Sequence, residues 1–115
     1  MPGDVVLRRE SKGEAMKLGI LLNSARHLDD VVGISRAALA KKHQVIIFAM
    51  DEGAKLLENQ ALASLAGLEG VSVSMCNHSA KLHGVNTAGL SPKIVCGSQL
   101  HNAMMNHNAD RVIVL

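Results

Sequence analysis

Aromatic residues are almost missing from this chain: it has no tryptophan, no tyrosine and a single phenylalanine, Phe48. That removes the ring platforms on which single-stranded nucleic acids, flavins and sugars usually stack. Net charge is nearly missing as well. Twelve Lys and Arg against ten Asp and Glu leave +2, too little for a protein that grips nucleic acid by its phosphates. The first fifteen residues balance, with Arg8, Arg9 and Lys12 against Asp4, Glu10 and Glu14, so the small excess belongs to the rest of the chain. Long apolar runs are also missing. The longest, Val45 to Met50, is far below the ~20 residues that span a bilayer, and no charged-then-apolar leader opens the sequence. Cysteine is scarce: Cys76 and Cys96 are the only two. A chain of 115 residues is long enough to bury about two-thirds of its unfolded surface without disulfide or metal staples. The expectation is a cytoplasmic protein with free thiols and no membrane or nucleic-acid partner.

What the chain does have is apolar residues, 48% of the total, in short runs separated by helical patterns. Residues 1–15 are polar and contain Pro2, Gly3 and Gly13, which predicts a flexible N-terminal extension before a single domain over residues 16–115. Leu18 to Leu22 and Val45 to Met50 read as strands buried on both faces. Val71 to Met75 alternates Val with Ser, the pattern of a half-buried strand; Lys93 to Cys96 and Arg111 to Leu115 complete a set of five. Between them lie helical stretches. The first starts at Leu28 with Val31, Val32, Ser35, Ala38 and Leu39 on one face. The second spans about Ala54 to Leu68 with Leu57, Ala61, Leu65 and Leu68 together. A third, short one runs from Asn77 to His83 and is stopped by Gly84. The last follows Ser98, with Leu100, Ala103, Met104 and His107 on a face. Strands alternating with helices through short loops predict an α/β fold with a parallel sheet, right-handed crossovers and helices on both faces.

In such a sheet the functional crevice lies at the carboxyl ends of the strands. Those ends supply Asn23 and Ser24, Asp51 and Glu52, Cys76 to Ser79, and Cys96 with Gly97 and Ser98. Several uses of the architecture are excluded by absent parts. Asn23 to Leu28 is not the G-x-G-x-x-G of a dinucleotide site, and no G-x-x-x-x-G-K-[ST] phosphate loop occurs. A phospho-receiver's aspartate is replaced by Cys76. The arginine that a cysteine phosphatase needs six positions on is Leu82 after Cys76 and Asn102 after Cys96, and C-x-x-C is absent. A thiol remains at a strand end, with His78 and Lys81 close by in sequence. Amides at a helix start and nearby cations lower a cysteine's pKa and make it reactive; a buried, inert cysteine fits the same position.

The segment Val73 to Val85, VSMCNHSAKLHGV, resembles the motif of the DsrE/DsrF/TusD-like (DsrEFH-like) sulfur-relay family: a strand ending at a cysteine, Cys-x3-Ala into a short helix, a basic residue, then Gly-Val. His83 stands where many members have arginine. Met50 to Gly53 resembles that family's acidic turn, and Leu90 to Ser98 with Asp110 to Leu115 its last βαβ unit, so the likeness covers about residues 16–115. It implies a three-layer α/β/α sandwich with a five-stranded parallel sheet, Rossmann-like or flavodoxin-like, assembling into trimers or hexamers. It also implies that Cys76 accepts sulfane sulfur as a persulfide and passes it between donor and acceptor proteins or small persulfides, without metal or organic cofactor.

The same resemblance makes the third and fourth strands neighbours, which brings Cys96 near Cys76 and raises a resolving role for it; the alternative is a small apolar strand residue. A zinc set of Cys76, His78, Cys96 and His101 matches no common ligand spacing. Asn23, Ser24, Gly97 and Ser98 are pocket candidates, although Ser98 also suits a plain N-cap. Two function classes stand: a persulfide carrier acting through Cys76, and a non-catalytic oligomeric interaction module whose cysteine is incidental. A mean hydropathy of +0.18 leaves apolar surface for association with copies of itself.

Overall fold

All five apolar runs become strands in the computed structural model, which describes residues 15–115. The expected extension, apart from Ala15, lies outside the described residues. The strands are β1 (Lys17–Leu22), β2 (Gln44–Ala49), β3 (Val71–Cys76), β4 (Ile94–Gly97) and β5 (Arg111–Val114). They form one parallel sheet in the order β4-β3-β2-β1-β5. The chain therefore steps one strand at a time from β1 to β4 and then crosses back over the sheet to place β5 beside β1.

Right-handed crossovers turn that order into layers. Helices α1 (Leu28–Ala40), α2 (Gln60–Ala66) and α3 (Asn77–Leu82) follow steps in one direction and share a face. The main core lies beneath them, joining Val31, Leu62 and Ala80 to Ile20, Ile47 and Met75. Helix α4 (Gln99–Asn108) belongs to the return crossover and covers the other face alone, where Met105 packs with Phe48 and Cys76. Each fully buried Ile, Leu or Phe of these clusters contributes on the order of 1.5–3 kcal/mol of transfer free energy.

Two helical stretches depart from the expected pattern. The stretch expected over Ala54 to Leu68 is a 3-10 turn, Asp51–Glu58, and then α2, divided at Asn59. The Asn59 side chain accepts a hydrogen bond from the Ala61 amide and starts the helix anew. A 3-10 turn advances by three residues rather than 3.6, so the phase shifts. Leu57, Leu62, Leu65 and Ala66 are buried, whereas Ala61 is exposed. In α4 the expected apolar face does not turn inward: Leu100 is 63% and Met104 48% exposed, and Met105 is the buried residue. The alternation in β3 holds, with Val73 and Met75 in the main core and Ser72 and Ser74 towards the α4 side.

Candidate active site

Cys76 is at once the last residue of β3 and the N-cap of α3. Strand register points its side chain towards the α4 face, and the turn into α3 brings the amides of His78 and Ser79 round to the sulfur. Helix α3 is held short by its end. Gly84 takes φ +71, its amide donates to the Lys81 carbonyl, and the Val85 amide donates to the Ala80 carbonyl at 2.8 Å. Val85 packs back into the core with Ala80. This glycine-terminated stop, closed by a buried valine, gives the Gly-Val of the sequence motif a structural job.

The opposite wall is the start of α4. In the parallel register Cys76 pairs with Gly97, and Met75 with Cys96. Ser98 caps the helix, accepting from the Leu100 amide at 3.2 Å, while its own amide donates to His101 Nδ1 at 3.3 Å. The His101 ring folds back over Gly97, where a Cβ would overlap it. Between these walls lies a cleft of about 620 Å³ with Cys76 in its lining. A groove of about 700 Å³ on the flank of α4 is larger, but it is lined by residues such as Ser72, Val95 and Met104 and contains no nucleophilic thiol.

Cys76 is 6% exposed and contributes to the lining of the cleft. Burial alone pushes a thiol pKa up. Here that effect is outweighed by hydrogen bonds from the Ser79 hydroxyl and amide, the Gln99 side chain and the His78 amide, so the Cys76 thiol lies below its ordinary range. Ser79 is itself buried, and its Oγ accepts from the Asp51 amide at 2.9 Å. Asp51 presents that amide from a left-handed backbone, φ +50, at the end of β2. An oxygen that accepts from Asp51 has its proton free for the sulfur, so the turn after β2 sets the donor beside Cys76.

The expected site residues divide cleanly. His78, Gly97 and Ser98 line the cleft with Cys76. Lys81 lies exposed in the last turn of α3, outside the lining. Asn23 and Ser24 do not join it. They follow β1, which β2 separates from β3, a distance of roughly 10 Å at the usual strand spacing. The Ser24 hydroxyl donates to the Leu115 carbonyl instead, at 3.2 Å. Cys96 is a neighbour in strand order but not in direction: it is in register with Met75, so it points to the face away from Cys76. It is free and exposed, Cys76 is free and buried, and this register does not permit a bond between them. Among the described residues no three His, Cys, Asp or Glu converge as a metal-ligand set. Met50 and Gln99 also line the cleft, and strand-end reasoning does not single them out. The signal for Gln99 is the Ser98 N-cap, which places the next residue at the mouth of any cleft beside Cys76.

Three comparisons with known proteins bear on the chain. A family model described as the DsrE/DsrF-like family matches residues 16–115. Among solved structures, the crystal structure of the ychN protein from E. coli superposes with a TM-score of 0.65 at 13% identity, covering 89% of this chain and 100% of that one. At that identity the likeness establishes the fold. No curated protein matches.

Proposed function

Since the chain belongs to the DsrE/DsrF-like family, we propose that it is a sulfur-relay protein that accepts and hands on sulfane sulfur as a persulfide on Cys76. The observation that carries this is the hydrogen-bonded setting of one thiol. Cys76 lines a cleft with His78, Ser79 and Gln99, groups that outweigh its burial and hold its pKa below the ordinary range, and the thiolate is the nucleophilic form. In loading, the Cys76 thiolate attacks the outer sulfur of a donor persulfide R–S–SH. A Cys76–S–SH bond forms, the donor S–S bond breaks and R–S⁻ leaves. In unloading, an acceptor thiolate attacks the outer sulfur and Cys76 leaves as thiolate. Neither step changes the total oxidation level, and neither needs a metal or organic cofactor.

His78 stands at the cleft rim, where an incoming donor or acceptor meets the protein. Lys81 is one exposed turn further along α3 and serves as a cation towards partner surfaces. Both partners are thiol-bearing proteins or small persulfides, in a cytoplasmic setting that keeps free thiols reduced. Val95 on β4 and the i, i+4 pair Leu100 and Met104 on α4 leave apolar surface uncovered, which supports assembly into a homo-oligomer, a trimer or hexamer in line with the family resemblance. The same apolar surface favours the second possibility, an interaction module whose thiol does no chemistry.

Intact mass after incubation with polysulfide separates the two. The expected result is a reductant-reversible gain of about 32 Da, one sulfur, in the wild type and in Cys96→Ser but not in Cys76→Ser. A gain that survives Cys76→Ser, or no gain at all, would favour the interaction module.

A further inference from the structure

Gln99 is the first residue of α4 and lines the cleft together with Met50 and Cys76, its Nε2 donating to Met50 Sδ at 3.8 Å. A carboxamide has two ends of opposite polarity. Its NH₂ stabilises a thiolate and its carbonyl oxygen repels one. Which end faces the sulfur is decided along the helix. Asn102 Nδ2 donates to Gln99 Oε1 at 3.1 Å, and Asn106 Nδ2 donates to both the side-chain and main-chain oxygens of Asn102 at 2.8 Å. Steps of three and four residues keep all three amides on one face of α4. Each amide is oriented by the next, and bonds in such a chain polarise one another in the same sense. The outer sulfur of a persulfide stands about 2 Å beyond Sγ, and Cys76 and Gln99 line the same cleft.

We propose that the Gln99–Asn102–Asn106 amide ladder fixes Gln99 as a hydrogen-bond donor to the sulfur carried on Cys76, with Asn102 acting as a positioning residue through Gln99. This rests on the persulfide function proposed above, and it adds a donor from α4 to those of α3. The Gln99 side chain is among the groups that hold the Cys76 thiol low, from its place in the lining of the same cleft. Asp51 and His78 are the titratable side chains lining the cleft, and Lys81 follows on α3; all stay unchanged in the variants below.

The test is titration of the Cys76 thiolate by ultraviolet absorbance, with its rate of alkylation by a small reagent, in a Cys96→Ala background. Gln99 and Asn102 are not buried, so their variants keep the fold. Gln99→Leu removes the donor and slows alkylation at neutral pH by roughly threefold to tenfold. Asn102→Asp offers only acceptors, so Gln99 turns its NH₂ to the new carboxylate and its carbonyl to the sulfur. The thiol pKa then rises further than in Asn102→Ala. With leucine replacing Gln99, Asn102→Asp has little remaining effect, because the signal has no amide to pass through. The proposal is overturned if Asn102→Asp titrates like the parent, or if it shifts Cys76 equally with and without Gln99, as a through-space charge effect would. Persulfide loading of the same parent protein distinguishes the two layers. Titration that follows the ladder in a protein that takes up no sulfur leaves Gln99 as donor to the Cys76 thiolate and refutes only the relay function.

Discussion

Replacing Gly97 by alanine perturbs the cleft at one defined point. Gly97 is the strand partner of Cys76, and a Cβ there would stand within 3.0 Å of three atoms of the His101 ring. The ring has to swing away, and with it goes the acceptor for the Ser98 amide. Losing that part of the cap costs about 0.5–2 kcal/mol, and the displacement itself roughly 1–3 kcal/mol. Alanine returns about 0.5–1 kcal/mol because glycine is a poor strand residue. The net is about 2 kcal/mol of destabilisation, or a melting temperature lower by ~10 °C for a domain of this size. Calorimetry on Gly97→Ala, His101→Ala and the double variant measures it. With the ring gone the three atoms nearest the added methyl are removed, so in the His101→Ala background Gly97→Ala is expected to cost less than about 0.5 kcal/mol. A full cost in that background would refute the steric account.

Two further outcomes are expected. The native Cys76 thiol lies below the 9.0 of an unperturbed cysteine, so the folded state gives up its proton first. Stability from the ionised group is fully present above about pH 9 and fades as pH falls through the lowered native value. The stability gap between wild type and Cys76→Ser therefore widens from neutral pH towards 9, and a gap that narrows over that range contradicts the assignment. Ser35 on α1 is fully buried, and its hydroxyl has no hydrogen-bond partner. Ser35→Ala removes an unpaired polar atom from a helix interior and raises stability by about 1 kcal/mol, read as a higher urea midpoint at constant slope; a clear loss of stability would mean that the hydroxyl is satisfied after all.

Most of the fold was legible in the sequence because strand and helix periods are local properties. Five apolar runs, a Val/Ser alternation and a glycine stop after α3 need no knowledge of the rest of the chain. Asn59 was not legible as a break, since a single asparagine inside an apolar period is tolerated until its side chain caps a new helix. Nor was the exposure of Leu100 and Met104: periodicity shows that they share a face but not whether anything covers it. At the site, Cys76, His78, Gly97 and Ser98 follow from strand ends. The failure of Asn23 and Ser24 to join them is a matter of strand order, which no local pattern encodes. For Gln99 the Ser98 N-cap before it is the one sequence signal, and an uncharged amide at a helix start otherwise looks like ordinary surface until its bonds to Asn102 and Met50 are seen.

The parity of β3 and β4 isolates two chemistries from each other. Because Cys96 is in register with Met75 rather than with Cys76, the sheet stands between the two sulfurs like the wall of a partitioned vessel. An oxidant that reacts at the exposed Cys96 does not thereby tie up Cys76 in a disulfide with it. As these are the only cysteines in the chain, any disulfide formed without unravelling the β3–β4 ladder must join two molecules. On a non-reducing gel of the folded protein, a disulfide between two copies of the chain then runs as a covalent dimer.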